Sequence, residues 1–567
     1  MKNQEVADIL DEIADILEIE GVDWKPRAYR NAALNIRSLS DDIEDLNKKG
    51  SLDSIPCVGE NIAKKIKEYL DTGKLLYLDK LKKEIPEAVE MLMKIQGIGP
   101  KKAKLLYDKL KISSLADLEK AIKQGKLENI KGMGEKTGSQ ILKGIKTLES
   151  SDKRHLLGET LFIAREIESK LKKVDGVEIV ELAGSLRRMK ETIGDVDILV
   201  VSSKPGKSTE FFTKMPEVKK VLWTGHTKSS IQLNSGLQVD LRILDHDHYG
   251  SALQYFIGSK EHSVKLRKIA IKKGYKLSEY GLFKGKNIIA AKNEREIYSR
   301  LGLQYIPPEM REDRGEIEAA LKNKIPNLIE LKDIQGDLHM HSSWSDGNNT
   351  VDQMISAARE KNYSYIAISD HSEGLKITNG LDEKRLTKQL DEIDRLQKKY
   401  PNIKIFKSSE VDIKKDGSLD INQKMLKLLD FVTISVHSSF QMSEKEMTDR
   451  VLKAMNNPSV KILGHPSGRL IFKREPIKLE FHKIFEKAKS SDIAMEINCH
   501  PDRLDLNDVN AKAAKDFGVK LAINTDAHIV DHLRNMELGV GTARRAWIEK
   551  KDVINAYDLK NLRKFLS

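Results

Sequence analysis

Cysteine is nearly absent: only Cys57 and Cys499 occur in 567 residues, far apart and without any CxxC pair, so neither a disulfide framework nor a thiolate zinc site is supported. Aromatic residues make up 5% of the chain and the mean hydropathy is −0.47. No stretch approaches the run of about 18 apolar residues that a membrane span needs, so the chain reads as soluble. The opening MKNQEVADILDEIADIL mixes charges at helical spacing and lacks the basic, apolar, small-residue order of a secretory signal. Export is not expected, and a reducing cytoplasm fits. Low-complexity tracts and heptad runs are also missing. What abounds is charge, at 32% of residues with a net +12. The length exceeds what one core serves and predicts about three to five domains.

The charge is uneven. Residues 1–150 hold 27 basic and 26 acidic side chains, 151–334 hold 33 and 26, and the remainder 38 and 34. The middle is therefore the basic part, which permits a polyanionic partner without requiring one. Residues 1–150 show apolar spacing of three and four, as in EVADILDEIADILEIE, and predict helices. Within them a pattern recurs at Ile55-Pro56-Cys57-Val58-Gly59, Ile95-Gln96-Gly97-Ile98-Gly99 and Ile130-Lys131-Gly132-Met133-Gly134. Each copy ends one helix and opens another, whose free N–H groups and dipole face an anion such as a DNA phosphate. The three copies resemble the helix-hairpin-helix motif, a backbone binder indifferent to sequence, with Gly59, Gly97, Gly99, Gly132 and Gly134 as DNA-binding positions. The first copy departs from the motif, with Cys57 where glycine is usual.

Beyond about 155, strand-like runs (VEIVELAG, VDILVVSS, LQVDLRIL) alternate with helical ones and predict an α+β domain. Alternation places Asp195 and Asp197 on one face of a strand with Val196 on the other. Two adjacent carboxylates repel unless cations lie between them, and hard Mg²⁺ ions are the natural neutralisers. Asp240, on another predicted strand, could complete a two-metal clamp for phosphoryl transfer. The preceding loop Gly184-Ser185-Leu186-Arg187-Arg188 can hold a triphosphate, Arg188 adding charge.

At these residues the chain resembles the family X DNA polymerases, over residues 1 to about 318. Gly225, Thr227 and Lys228 in GHTKSS, Tyr255-Phe256 with Gly258-Ser259, and Arg267 match as well. The resemblance implies a small gap-binding domain (1–90), a duplex-binding domain (91–150), a nucleotidyltransferase palm (151–245) and a thumb (246–318), the last reading as mixed and mostly helical. It implies that Ser185, Arg188, Gly194 and Arg154 hold the incoming triphosphate and that Tyr255, Phe256 and Gly258 lie near it. Lys228 and Arg267 would meet DNA, and Mg²⁺ or Mn²⁺ would occupy the Asp195, Asp197 and Asp240 site. Where eukaryotic members have an acidic residue and an asparagine, this chain has Lys260 and Ser263. Lys65, with Lys25 and Tyr29, matches the lysine that forms a Schiff base in members with sugar-phosphate lyase activity, although Asn61 replaces a supporting lysine.

After a connector at 319–334, short strands alternate with helices in the rhythm of βα units. His339, His341, Asp346, His371, Glu410, His437, His465, Asp526 and His528 all fall at predicted strand ends, which such a ring brings to one mouth. Imidazoles and carboxylates without thiolate favour Zn²⁺, Mn²⁺ or Fe²⁺. The pattern resembles the PHP (polymerase and histidinol phosphatase) superfamily, a distorted seven-stranded βα barrel, here over 335–567. The resemblance implies two or three ions: one on His339, His341, Glu410 and Asp526, one on Glu410, His437 and His465, one on Asp346, His371 and His528.

The whole predicts a cytoplasmic, monomeric repair enzyme that fills short gaps from dNTPs on gapped or nicked DNA. Its PHP domain would act as a 3′–5′ exonuclease, a 3′-end trimming enzyme or an AP endonuclease. The rival readings are a noncatalytic gap-binding scaffold and a nucleotidyltransferase with a non-DNA acceptor.

Overall fold

The computed structural model describes residues 2–567 apart from 21, 23, 38–42, 85, 94, 96–97, 131–132, 135–136, 140, 143–144, 146–153 and 375–377. Gly97 and Gly132 thus lie outside the described residues. No helix among the described residues is long and apolar enough to cross a membrane. The chain forms two compact units, a helical one of residues 1–153 and a larger one carrying nearly all the rest.

The helical unit buries the stripe that its periodicity foretold. Val6, Leu10, Ile13 and Leu17 of helix Lys2–Ile19 join Ala32, Ala33 and Ile36 of helix Lys25–Arg37 in one core. Gly59 caps helix Glu60–Thr72 and Gly99 caps helix Pro100–Leu110, neither with a side-chain hydrogen bond. The amides of Thr137 and Gly138 likewise return to the Gly134 carbonyl, at 2.9 and 3.1 Å. Cys57 holds a φ of +64°, a region favoured by glycine, so the motif's departure preserves the turn at a backbone cost.

In the larger unit a five-stranded sheet comes first, made of β1 (Val177–Leu182), β2 (Asp195–Ser202), β3 (Val218–Thr224), β4 (Lys228–Leu233) and β5 (Gln238–Leu244). Its order is β1-β2-β5-β4-β3. β2 and β5 run parallel in a register that sets Asp197 opposite Asp240. Helices Tyr249–Ile257 and Lys260–Lys272 follow. Beyond them lies an antiparallel sheet of Lys276–Ser278, Gly281–Lys284 and Asn287–Ala290, so 246–318 is mixed and mostly helical as the sequence reads, with strands that the reading did not locate. Strands of three or four residues are too short to display a period of two. The 319–334 connector is packed into the fold: Ile329 is fully buried and its amide donates to the Ile548 carbonyl at 3.0 Å.

A ring of parallel strands completes the unit: β6 (Gly336–Met340), β7 (Tyr365–Ile368), β8 (Lys404–Lys407, resuming at Glu410–Asp412), β9 (Val432–Ser435), β10 (Val460–Leu463), β11 (Ala494–Asn498) and β12 (Leu521–Asn524). The ring closes where Met340 bridges Ala527 and the His341 amide donates to the Ala527 carbonyl at 2.8 Å. β7, β9 and β12 are buried throughout, as strands between an outer helical layer and a filled interior must be.

Candidate active sites

On the five-stranded sheet Val196 is anchored in the core, which turns Asp195 and Asp197 the other way. Asp240 accepts from Ser230 Oγ at 2.6 Å and Gln238 Nε2 at 3.0 Å, with Lys228 Nζ 3.7 Å away. Burial, then the charges of Asp195 and Asp240, push the Asp197 carboxyl up to about 7. Three carboxylates gathered so closely fit divalent cations with oxygen ligands. Gly184 makes room for this arrangement. It holds a φ of +61°, and a Cβ there would come within 2.5 Å of Asp197 Oδ2.

A cleft of about 450 Å³ opens beside the carboxylates, lined among others by Ser185, Arg188, Gly194, Tyr255, Gly258 and Arg267. Arg154, Phe256, Lys260 and Ser263 line it too. Arg188 is not a free cation. Its Nε donates to Glu312 at 2.9 Å and its Nη1 to the Ile257 carbonyl. Arg154 is likewise engaged, donating to Thr192 Oγ1 at 2.8 Å. The Phe256 ring meets Tyr255 edge-on and carries the Arg242 guanidinium over its face at 4.3 Å. Arg242 lies two residues beyond Asp240 on β5 and so shares its face.

At the barrel mouth the strand ends gather all nine side chains. Glu410, 1% exposed, is the hub: His371 Nδ1 lies 3.0 Å from it, His465 Nε2 2.8 Å, His437 Nε2 3.3 Å and His339 Nε2 3.5 Å. His341 Nε2 is 3.0 Å from Asp526, while His371 and His528 approach Asp346 at 3.5 and 3.4 Å. Three groups have geometry fit for an ion: His341, Asp346, His371 and His528; His339, His341 and Asp526; His371, Glu410 and His437. His341 and His371 each serve two groups, a sharing that the implied ligand sets lack. Burial opposes charge on every imidazole, but Glu410 and Asp346 hold His371 up to about 10, and Asp346 and Asp526 hold His528 up to about 9. His339 Nε2 and both ring nitrogens of His341 are buried and close to carboxylates yet make no well-aligned hydrogen bond. Buried nitrogens converging on carboxylates are what a metal-ligand set requires.

Sequence reasoning missed the side chains that brace these groups. Glu496 accepts from His339 Nδ1 at 2.8 Å, from the His465 amide at 2.7 Å and from Asn524 at 2.9 Å, fixing two imidazoles at once. Asp412 accepts from the His437 amide at 3.1 Å and lies 3.3 Å from its Nδ1, steadying a third. Ser230 and Gln238 serve Asp240. The one usable sequence signal was alternation, since Glu496 shares a strand face with Asn498 and Gln238 with Asp240.

In the helical unit Lys65 Nζ lies 4.6 Å from the Tyr77 ring centroid and 3.3 Å from the Asn61 carbonyl. Burial and the nearby Lys25 lower its pKa, outweighing Glu68. Burial and Tyr77 push the Tyr29 hydroxyl up to about 12. At Gly59, Gly99 and Gly134 a Cβ would meet nothing within 4 Å. The fold therefore has space for a side chain at each of these positions.

Comparison with known families matches a helix-hairpin-helix domain at residues 1–75, a SAM-like helix-hairpin-helix tandem at 89–147, a DNA polymerase beta thumb at 252–312 and a PHP domain at 337–500. The chain is 38% identical over 571 residues to the DNA polymerase/3′-5′ exonuclease PolX of Bacillus subtilis (strain 168), covering 100% of this chain and 99% of that protein. It is 24% identical to DNA polymerase lambda of Rattus norvegicus over 55% of this chain and 56% of that one. A probable phosphatase of Thermoanaerobacter sp. (strain X514) is 28% identical over 41% of this chain and 93% of its own length.

Proposed function

Because the chain belongs to the family X DNA polymerases that carry helix-hairpin-helix domains and a C-terminal PHP domain, we propose that it fills short gaps in DNA from dNTPs and processes 3′ ends with its PHP centre. The observation that carries this reading is the presence in one unit of two different clusters, three carboxylates drawn together on adjacent strands and a histidine-rich ring at a barrel mouth whose geometry could hold ions. In this reading the domains are those expected at 1–90, 91–150, 151–245, 246–318 and 335–567.

Asp195, Asp197 and Asp240 hold Mg²⁺ or Mn²⁺. Ser185, Arg188, Gly194 and Arg154 take the triphosphate, Tyr255, Phe256 and Gly258 seat the sugar, and Lys228 and Arg267 meet DNA. The hairpin glycines Gly59, Gly97, Gly99, Gly132 and Gly134 grip phosphates of gapped or nicked duplex irrespective of sequence. His339, His341, Asp346, His371, Glu410, His437, His465, Asp526 and His528 hold two or three Zn²⁺, Mn²⁺ or Fe ions against a phosphodiester at a 3′ end or an abasic site. Bound divalent ions supply Lewis acidity and neutralise phosphate charge in both sites. Glu496 and Asp412 keep the imidazoles aimed inward, and Ser230 and Gln238 do so for Asp240. The lowered pKa of Lys65 favours its neutral, nucleophilic amine and supports a sugar-phosphate lyase role. The two free cysteines suit a reducing cytoplasm.

One primer-extension assay offering gapped DNA, RNA and free nucleotide acceptors, run beside 3′-labelled strand degradation, tests the reading. Extension restricted to DNA with metal-dependent loss of the 3′ label is the expected result. Extension of RNA or free nucleotides alone would replace DNA repair by another nucleotidyl transfer.

A further inference from the structure

Arg188, at the cleft beside the carboxylates, belongs to a chain of ion pairs and hydrogen bonds that joins the stretches expected as palm, thumb and PHP domain. Glu312, beyond the thumb sheet, accepts from Arg188 Nε at 2.9 Å and from Arg545 Nη1 at 3.0 Å. Arg545 ends helix Met536–Arg545 of the barrel. Its Nη1 also donates to the Arg188 carbonyl at 2.7 Å, and its Nη2 lies 2.8 Å from Asp508. Asp508 in turn takes Arg314 Nη1 at 2.9 Å, two residues past Glu312. Arg545 is 6% exposed and Arg188 9%.

Such a chain is more than surface charge matching. Burial works against the Glu312 carboxylate, yet Arg545 and Arg188 hold its pKa below the ordinary range. The backbone is fitted as well: Met189, next to Arg188, lies against the same helix where Gly541 has no side chain, and a Cβ there would come within 2.5 Å of Met189 Cε. With Nε and Nη1 engaged, Arg188 leaves Nη2 for the cleft it lines. A guanidinium fixed at two nitrogens and at its own carbonyl presents the third in a defined direction, and preorganisation of this kind strengthens anion binding.

We propose that the PHP domain completes the polymerase's nucleotide site: Arg545 is a positioning residue that holds Arg188 and Glu312 in the geometry that receives the triphosphate of an incoming dNTP. The proposal rests on Arg188 being a triphosphate ligand. The PHP barrel then has two separate roles, one at its metal-binding mouth and one on the outer helix that braces the palm.

The test is single-turnover gap filling by the full-length protein, which separates the apparent dissociation constant for dNTP from the rate of chemistry. Arg545→Met is expected to raise that constant about tenfold, the scale of one charge-assisted hydrogen bond. Arg545→Lys should recover part of the loss, since one ammonium can stand in for Nη1 toward the Arg188 carbonyl and Glu312 but cannot also reach Asp508 as Nε and Nη2 do. The barrel's hydrolysis of the p-nitrophenyl ester of thymidine 5′-monophosphate should stay unchanged. Glu312→Gln, which leaves the barrel intact, should raise the dNTP constant similarly. In an Arg188→Ala background neither change should add anything. If Arg188→Ala weakens dNTP binding while Arg545→Met and Glu312→Gln do not, Arg545 is only structural glue and the proposal falls. If Arg188→Ala itself leaves dNTP binding unchanged, the triphosphate assignment fails first and the proposal with it.

Discussion

The palm and the barrel mouth each hold acidic side chains close enough to repel, but in opposite surroundings. Asp195 is exposed and lines the cleft with Asp197, while Asp240, 9% exposed, sits behind them with Ser230 and Gln238 as its partners instead of a histidine. Glu410 and Asp526 are 1% and 5% exposed, and each is faced by imidazoles. The two solutions suit different ions. Oxygen ligands on an open face suit Mg²⁺, which keeps water and arrives with the substrate's phosphates. Buried imidazoles and carboxylates suit ions that remain resident between turnovers.

The largest expected effects would break the comparison into two independent halves. Asp240→Ala should lower gap extension by roughly a thousandfold or more, the scale of several kcal/mol of lost charge stabilisation, and leave 3′-end hydrolysis with Mn²⁺ intact. His339→Ala with His341→Ala should do the reverse and lower tightly bound transition metal, as measured by metal analysis after gel filtration. Loss of both activities from either change in a folded protein would merge the two sites into one.

A smaller effect sharpens the contrast in bracing. Glu496→Gln keeps the shape but weakens the acceptor for His339 Nδ1, and metal affinity at the barrel should fall about 10–100-fold without any ligand being altered. Unchanged affinity in a competition titration with a chelator would make Glu496 a packing residue.

The two centres should also differ in pH response. The Asp197 carboxyl, held up to about 7, is neutral below that pH and ionised above it, so an entering ion must displace a proton on the acid side. Apparent Mg²⁺ affinity of the palm should fall up to about tenfold per unit below pH 7 and level off above it. At the barrel, His371 and His528 are held at about 10 and about 9, so ions displace protons throughout the neutral range and affinity should still rise with pH above 7. Calorimetric proton release in two buffers distinguishes the curves, and matching profiles would erase the distinction.

The smallest effect belongs to the hairpins. Gly99→Ala meets open space in the fold, so the melting temperature should hold while DNA binding weakens a few-fold, equally for different sequences and with a shallower salt dependence. A drop confined to one sequence would turn a backbone grip into base reading.

Legibility in the sequence followed locality. The hairpins are five-residue patterns, and the Asp195 and Asp197 pair needs only the alternation of one strand. The nine barrel residues were readable because strand ends of a βα ring share a mouth whatever the intervening loops do. The thumb read as mixed and mostly helical, but its strands were not located because they are three or four residues long. The braces Glu496, Asp412 and Ser230 escaped because each acts on a partner brought to it by strand pairing.

The sequence by itself therefore determined which elements form and which chemical groups they carry, since periodicity, turn glycines and residue spacing are properties of neighbouring residues. Tertiary structure alone decided the register that sets Asp197 opposite Asp240, the sharing of His341 and His371 between groups whose geometry could hold an ion, and the grip of Arg545 on Arg188 and Glu312. Each of these is a contact between residues far apart along the chain, and only the packing of whole elements fixes such distances to the ångström that hydrogen bonds and metal ligation demand.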